Sequence, residues 1–161
     1  MIDKVHVLFV CLGDICRSPT AHGVFDRLVR DAGLEQRIAV DSAGTGDWHI
    51  GRPPDQRSHR AALERGVDIG HLRARQVTAA DFDRYQYILA MDRSNLDALH
   101  RLKPEDYRGH LGLFLAFAGD RSGALDEVPD PYHGGDDDFQ RVYELIQRAS
   151  LGLLDHIREA S

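Results

Sequence analysis

VLFVCLGDICRSPT, at residues 7–20, is the stretch that decides the fold of this chain. An apolar run ends at Cys11, and five residues separate this cysteine from Arg17. Ser18 and Pro19 then have the character of a helix start, with Ser18 as the cap and Pro19 in the first turn. A buried strand, a short loop and a helix in this order predict a loop that surrounds an anion, with a sulfur nucleophile at its base.

This loop contains the residue types that phosphoryl transfer needs. Successive backbone N–H groups between a strand and a helix converge on an anion. The positive electrostatic field of these groups and of Arg17 also favours the thiolate form of Cys11, which is the nucleophile. A guanidinium binds two phosphoryl oxygens in one plane, and Ser18 is placed to donate a hydrogen bond to the sulfur. We therefore expect Cys11 and Arg17 to be catalytic. The residues expected to bind the phosphate are Leu12, Gly13, Asp14, Ile15, Cys16 and Ser18.

The rest of the chain alternates strands and helices. Three further strands are predicted, at Ile38–Ser42, Tyr87–Met91 and Leu111–Phe117. Helices are predicted from Ser18 to Gly33, from Asp55 or Ser58 to Gly66, from Thr78 to Asp81 onward, over Ser94–Leu102, and after the loop Asp126–Asp138. This order predicts an α/β fold: a single domain over residues 1–161, with a doubly wound, four-stranded parallel sheet flanked by helices on both faces.

Composition narrows the possible partners. A net charge of -6 argues against binding to nucleic acid, and no apolar stretch approaches the ~20 residues of a membrane span. The N-terminus lacks the features of a signal peptide, so we expect a cytoplasmic location, although secretion without a recognisable signal stays open. The two cysteines suit neither a disulfide framework nor a zinc site, and the nine histidines include no His-x3-His pair with an intervening acid. We expect no metal and no cofactor.

These motifs resemble those of the low-molecular-weight protein tyrosine phosphatases, whose N-terminal signature reads Val-Cys-x-Gly-Asn-Ile-Cys-Arg-Ser-Pro. Later segments are similar to that family in its order and spacing: Asp41–Thr45 followed by Trp48, Gly51 and Pro54; Gly70–Gln76; Met91–Asn95; and Val128–Tyr132. The resemblance covers most of the chain. It implies hydrolysis of phosphotyrosine in proteins, and of small aryl phosphates, through a phosphocysteine intermediate.

The resemblance also implies roles outside the loop. Asp130 would be the general acid that protonates the leaving phenolate and then accepts a proton from water. Trp48 and Tyr132 would form the walls of a slot deep enough to select phosphotyrosine over phosphoserine, and Ser42 and His71 would hydrogen-bond the loop from behind. The implied partners are phosphotyrosine-containing proteins, with a tyrosine kinase or its targets as candidates. Phosphate-like oxyanions would inhibit.

Asp14 departs from the family, which usually has asparagine at this position. Both residue types tolerate a left-handed backbone, but an ionised carboxylate can only accept hydrogen bonds. A negative charge about 7 Å from a phosphate costs roughly 2 kcal/mol at an effective dielectric of about 20. We therefore expect either a protonated Asp14 or weakened phosphate binding and thiolate formation. His22 also departs from the usual glutamate, and its spacing predicts a position on the helix surface.

Other functions remain open from the sequence. A thiol-dependent arsenate reductase on the same scaffold would need further cysteines, and residues 17–161 contain none, so an external thiol would have to complete the reaction. A phosphotyrosine- or anion-binding module weakened by Asp14 would need neither the thiol nor the acid. Cys16 could form a reversible disulfide with Cys11, or simply pack inward.

Overall fold

A four-stranded, all-parallel sheet forms the centre of the protein. The computed structural model describes residues 4–122 and 126–160. Its strands are β1 (Val5–Cys11), β2 (Ile38–Gly44), β3 (Tyr87–Ala90) and β4 (His110–Leu113), in the order β2-β1-β3-β4. Because all the strands are parallel, their carboxyl ends lie at one edge, and β1 ends there at Cys11. The predicted fold class is confirmed.

Helices cover both faces of this sheet. They are α1 (Arg17–Asp31), α2 (Gln56–Leu63), α3 (Asp81–Arg84), α4 (Arg93–Leu102) and α5 (Asp136–Ala160). Successive residues of β1 point to opposite faces: Phe9 packs with Phe25 and Phe114 beneath α1 and α5, whereas Leu8 belongs to the cluster with Phe82 and Leu99 beneath α3 and α4. This double burial explains why β1 is apolar without interruption. In the described part of the chain, no helix has both the length and the apolar character needed to span a membrane.

The fourth strand is shorter than the sequence predicts. β4 ends at Leu113, and the chain continues as 3-10 helix over Phe114–Ser122, with a kink at Gly119. Phe114, Leu115 and Ala118 are buried there, at a helical rather than an alternating spacing. The prediction of a strand to Phe117 was therefore wrong, because a short apolar run does not by itself distinguish a strand from a buried helical segment.

The helix starts differ in how they are capped. Asp55 accepts the N–H of Arg57 and caps α2, and Asp92 accepts the N–H of Asn95 and caps α4. α1 begins at Arg17 and has no side-chain cap. The prediction of Ser18 as a cap was wrong, because Ser18 lies inside the first turn and its hydroxyl contacts the loop instead.

Candidate active site

The loop between β1 and α1 is held in a tight curve by backbone hydrogen bonds. The N–H groups of Thr45 and Gly46 donate to the carbonyls of Cys11 and Leu12, each at 2.9 Å, and the N–H of Asp55 donates to the carbonyl of Ile15 at 2.8 Å. Within the described residues, Asp14 is the only non-glycine residue with a positive φ, at 56°. The left-handed conformation at Asp14 thus turns the chain back towards α1, as the sequence permits.

Cys11 lies at the base of this loop and is only 3% exposed. Its Sγ atom is 3.0 Å from the hydroxyl oxygen of Ser18 and accepts the backbone N–H of Asp14 at 3.3 Å. The sulfur also faces the amino-terminal end of α1, where unpaired N–H groups favour negative charge. Sequence reasoning placed the sulfur and the Ser18 hydroxyl together, and the structure brings them within hydrogen-bonding distance.

Arg17 is buried beside the sulfur and is held by two partners. Its Nη1 atom donates to Asp92 Oδ2 at 2.7 Å and to the carbonyl of Val128 at 2.9 Å. Its Nη2 atom lies 3.8 Å from Asp130 Oδ2. Burial alone would lower the pKa of Arg17, but the negative charges of Cys11, Asp92 and Asp130 outweigh it and raise that pKa. A fixed, charged guanidinium is therefore available to a bound oxyanion.

Asp130 lies above Arg17 on the loop before α5. Its Oδ1 atom accepts the backbone N–H of Tyr132 at 3.1 Å, and about half of its side chain is exposed. The Arg57 guanidinium stands 5.5 Å from the centre of the Tyr132 ring and 4.6 Å from that of Phe139. Arg57 thus links the start of α2 to the loop that carries Asp130.

A cavity of about 340 Å³ opens above Cys11. Nine predicted site residues line it: Cys11, Leu12, Gly13, Ile15, Cys16, Arg17, Trp48, Asp130 and Tyr132. Trp48 is 58% exposed and Tyr132 is 41% exposed, so both rings stand at the mouth and not in the core. Asp14 and Ser18 do not line the cavity; they lie buried behind the loop.

Sequence reasoning did not assign several residues of this site. His49 and His133 also line the cavity, and Asp92 holds Arg17. The position of Asp92 gave a usable signal: an aspartate that caps a helix directly after a buried strand lies at the carboxyl edge of the sheet, close to the loop. His49 and His133 carry no sequence signal beyond their nearness in the chain to Trp48 and Tyr132.

Ser42 and His71, the two residues expected to hydrogen-bond the loop from behind, lie in different environments. Ser42 is buried at the end of β2, with its hydroxyl 3.2 Å from Nδ1 of His22. His71 is exposed beside His22 in a shallow surface cavity, and among the described residues no hydrogen bond joins it to the loop.

The prediction of His22 on the helix surface was wrong: its side chain is only 17% exposed, because that face of α1 packs towards β2.

Asp14 occupies an unusual environment for a carboxylate. It is 3% exposed; its Oδ1 atom accepts the Ser18 hydroxyl at 2.7 Å and its Oδ2 atom accepts the backbone N–H of Arg75 at 3.1 Å. Burial raises the pKa of Asp14 to about 6, although hydrogen bonds from Ser18, Arg75 and Ser42 oppose the rise. The expectation of a protonated Asp14 is therefore favoured in mildly acidic solution.

Cys16 and Cys11 are both free thiols in this structure. Cys16 packs in a small apolar cluster with Ala61 and Phe139. Burial raises the pKa of Cys16 to about 12. Of the two roles considered for Cys16, this placement matches inward packing. Among the described residues, no group of three or more histidine, cysteine or acidic side chains is arranged to hold a metal ion.

The parallel fold and this loop together describe a cysteine-based phosphoryl-transfer enzyme, and comparisons with known proteins agree. The family described as low molecular weight phosphotyrosine protein phosphatase matches residues 6–161. A Schizosaccharomyces pombe protein of that name is 45% identical over 98% of this chain and 99% of its own. The chain belongs to the low molecular weight phosphotyrosine protein phosphatase family.

Solved structures place the fold in the same family. A protein tyrosine phosphatase from Entamoeba histolytica superposes with a TM-score of 0.92 at 34% identity, covering 98% of this chain and 99% of its own. YfkJ from Bacillus subtilis superposes with a TM-score of 0.91 at 38% identity, covering 99% of this chain and 98% of its own. The resemblance seen in the sequence motifs therefore extends to the whole described fold.

Proposed function

We propose that this protein hydrolyses phosphotyrosine in proteins, and small aryl phosphates, through a phosphocysteine intermediate. One observation carries the proposal: the sulfur of Cys11 lies at the base of an anion-binding loop, and the buried guanidinium of Arg17 lies 3.8 Å from the carboxylate of Asp130. A nucleophile, an oxyanion ligand and an acid thus meet in one cavity. Membership of the family supports the same reaction.

In the first step, the thiolate of Cys11 attacks phosphorus and the bond to the phenolic oxygen breaks. Arg17 and the N–H groups of the loop bind the three non-bridging oxygens, where negative charge is held during transfer. Asp130 donates its proton to the departing oxygen, because a phenolate, whose parent phenol has a pKa of about 10, leaves more easily when protonated. The products of this step are a phenol and phosphocysteine.

In the second step, water attacks phosphorus and the sulfur leaves as a thiolate. Asp130, now ionised, accepts a proton from that water. Ser18, 3.0 Å from the sulfur, donates a hydrogen bond to the departing thiolate. Inorganic phosphate is released and Asp130 is again protonated, so the enzyme returns to its starting state.

The cavity mouth supports an aromatic substrate. Trp48 and Tyr132 offer exposed ring faces at the entrance, and a phenol ring stacks favourably on such faces. The phosphate of a phosphoserine, on a shorter side chain, would stop short of the loop.

We infer that the partners are phosphotyrosine-containing proteins, with a tyrosine kinase or its targets as candidates. Ser42 is inferred to support the loop directly, and His71, which makes no hydrogen bond to the loop among the described residues, only indirectly through His22.

The proposed location is the cytoplasm, which suits an enzyme with free thiols. Cys11 and Cys16 are both unpaired, as is usual in a reducing compartment, and Cys11 has to stay reduced to act. Phosphate, vanadate and similar oxyanions are expected to inhibit, because they fill the loop that binds the substrate phosphate.

The two alternative functions have less support. An arsenate reductase would need a second thiol to resolve its intermediate, and the remaining cysteine, Cys16, is buried beside Phe139, where burial raises its pKa to about 12 and disfavours the reactive thiolate. A binding module would need neither Cys11 as nucleophile nor Asp130 as acid, yet both face the same cavity.

Phosphate release from p-nitrophenyl phosphate, a phosphotyrosyl peptide and the matching phosphoseryl peptide tests the proposal. We expect turnover of the first two only, and none by Cys11→Ser, which should still bind the phosphotyrosyl peptide. Release of phosphate by Cys11→Ser at the wild-type rate, or equal turnover of both peptides, would overturn it.

An Asp130→Ala variant provides the route to physiological substrates. It should bind phosphoproteins and release them slowly, because leaving-group protonation is lost while the loop is intact. Proteins retained by this variant and displaced by vanadate are substrates of the Cys11 site. Retention that vanadate does not displace would indicate binding elsewhere.

A further inference from the structure

The hydroxyl of Ser18 lies between two acidic groups. Its oxygen is 3.0 Å from Sγ of Cys11 and 2.7 Å from Oδ1 of Asp14, and all three residues are at most 3% exposed. A hydroxyl carries a single proton and can donate it to only one acceptor at a time. When Cys11 is a thiolate and Asp14 is a carboxylate, the two anions therefore compete for one hydrogen bond.

The hydrogen bonds of Asp14 limit where its proton can point. Oδ2 of Asp14 accepts the backbone N–H of Arg75 at 3.1 Å, and an N–H group cannot accept a hydrogen bond in return. The Ser42 hydroxyl also bonds this carboxyl and offers a second acceptor. When the proton is on Oδ1, 2.7 Å from the Ser18 oxygen, it points at Ser18. Ser18 then accepts from Asp14, and its own proton is left to point at Cys11.

We propose that Asp14 is a positioning residue that acts as a neutral acid through Ser18. Its proton turns the Ser18 hydroxyl towards the Cys11 sulfur, and loss of that proton from Oδ1 to water turns the hydroxyl away. This inference rests on the proposed function, in which the sulfur leaves as a thiolate in the second step. That departure is assisted by Ser18 only while Asp14 is protonated, so ionisation of Asp14 slows turnover.

The surroundings of Asp14 favour its neutral form. β2 contributes the carboxylate of Asp41 and the hydroxyl of Ser42, and α1 contributes His22, which reaches Asp14 only through Ser42. The loop itself contributes Cys11. The charge that faces Asp14 from these elements is therefore mainly negative.

The guanidinium of Arg75 is directed away from Asp14. The guanidinium of Arg75 donates to Asp41 at 3.1 Å and, through two further bonds of 3.1 Å, to Asp81. Only the backbone N–H of Arg75 reaches Asp14. Burial and the Asp41 charge together raise the pKa of Asp14 to about 6, so the proposed change falls in mildly acidic to neutral solution.

Asparagine at this position would reproduce the protonated state permanently. In an Asp14→Asn variant the amide oxygen can accept the N–H of Arg75, and the amide N–H₂ group can donate to Ser18 in place of the proton on Oδ1. Asparagine also tolerates the left-handed backbone at φ 56°. Asp14→Asn is thus a matched test of the proton alone.

The first experiment compares kcat for p-nitrophenyl phosphate between Asp14→Asn and the wild type from about pH 4.5 to about pH 7.5. We expect the variant-to-wild-type ratio to rise about tenfold over this range, the worth of one hydrogen bond to an anion. The rise should vanish when both proteins also carry Ser18→Ala, because the effect passes through that hydroxyl. A ratio independent of pH, or an equal rise in the Ser18→Ala background, overturns the proposal.

A second experiment needs no activity. The Asp14 carboxyl is followed by ¹³C NMR as pH is changed, in the wild type, in Cys11→Ser and in Ser18→Ala. Removing the competing sulfur should lower the Asp14 titration midpoint by about one pH unit, and removing the hydroxyl should raise it. Identical midpoints in all three proteins refute the proposal. Because this readout is independent of turnover, failure of the proposed phosphatase activity remains distinguishable from failure of the Asp14 proposal.

Discussion

Arg17 and Asp92, 75 positions apart in the chain, form a 2.7 Å ion pair behind the phosphate-binding loop. The same aspartate caps α4 through the N–H of Asn95. The cap fixes the Asp92 carboxylate at the edge of the sheet, and the carboxylate fixes the guanidinium that faces Cys11. A helix-capping residue therefore sets the position of the side chain that we propose binds the phosphate.

Asp92 variants should separate these two roles. Asp92→Asn keeps an acceptor for Asn95 but removes the charge opposite Arg17, whereas Asp92→Ala removes both. We expect the free energy of unfolding to fall by about 3 kcal/mol in Asp92→Asn, because a buried guanidinium loses its nearest counter-ion. It should fall by a further ~1 kcal/mol in Asp92→Ala, the worth of a cap. Urea unfolding measures both, and equal losses in the two variants would show that the cap contributes nothing.

Asp14 should make stability depend on pH. Its pKa rises from 3.8 to about 6 on folding, so the folded state holds the proton more tightly than the unfolded chain. The stabilising effect of this proton is complete below about pH 4 and is lost as pH rises through about 6. Asp14→Asn should therefore be more stable than the wild type by about 2–3 kcal/mol near neutrality, with a difference that shrinks between about pH 6 and pH 4. Urea unfolding at several pH values measures this; a difference that is the same at every pH contradicts it.

Asp130 should matter most for substrates with poor leaving groups. p-Nitrophenolate leaves without protonation far more readily than phenolate does, so loss of a general acid affects the two esters unequally. Asp130→Asn should slow kcat/KM for phenyl phosphate by about 10²–10⁴-fold, the usual range for acid catalysis, and slow p-nitrophenyl phosphate much less. Steady-state rates for both esters are sufficient. Equal slowing would assign Asp130 to binding and not to proton transfer.

The loop and the sheet were predictable because their determinants are local. The apolar run before Cys11, the spacing to Arg17 and the helix start at Pro19 are consecutive in the chain. Backbone geometry then leaves few ways to connect them. Parallel pairing follows from the long crossovers, which return each strand in the same direction.

The features that sequence reasoning missed or misjudged depend on tertiary contacts. The pairing of Arg17 with Asp92 joins residues from opposite halves of the chain, and no local pattern specifies it. Phe114 belongs to a helical segment because α5 packs over it, although its neighbours in the chain are typical of a strand. His22 is mostly buried because β2 brings Ser42 against it.

Arg57 connects α2 to the loop of Asp130. Its guanidinium makes two 3.0 Å contacts with Asp55, the cap of α2, and lies over the Tyr132 ring. The backbone N–H of Asp55 in turn donates to Ile15 in the phosphate-binding loop. Arg57 therefore joins the loop of Asp130 to the phosphate-binding loop.

Arg57→Ala should loosen the loop of Asp130 and weaken proton donation by Asp130. A cation–π contact of about 1 kcal/mol corresponds to a loss of about fivefold in kcat/KM for phenyl phosphate. Arg60→Ala is the matched control, because Arg60 lies one turn along the same helix and its side chain is 61% exposed. We expect it to retain the wild-type rate. If Arg57 acts through Asp130, its substitution should have almost no effect on an enzyme that already carries Asp130→Asn. A full fivefold loss in that background would instead mean that Arg57 contributes to phosphate binding through Asp55 and Ile15.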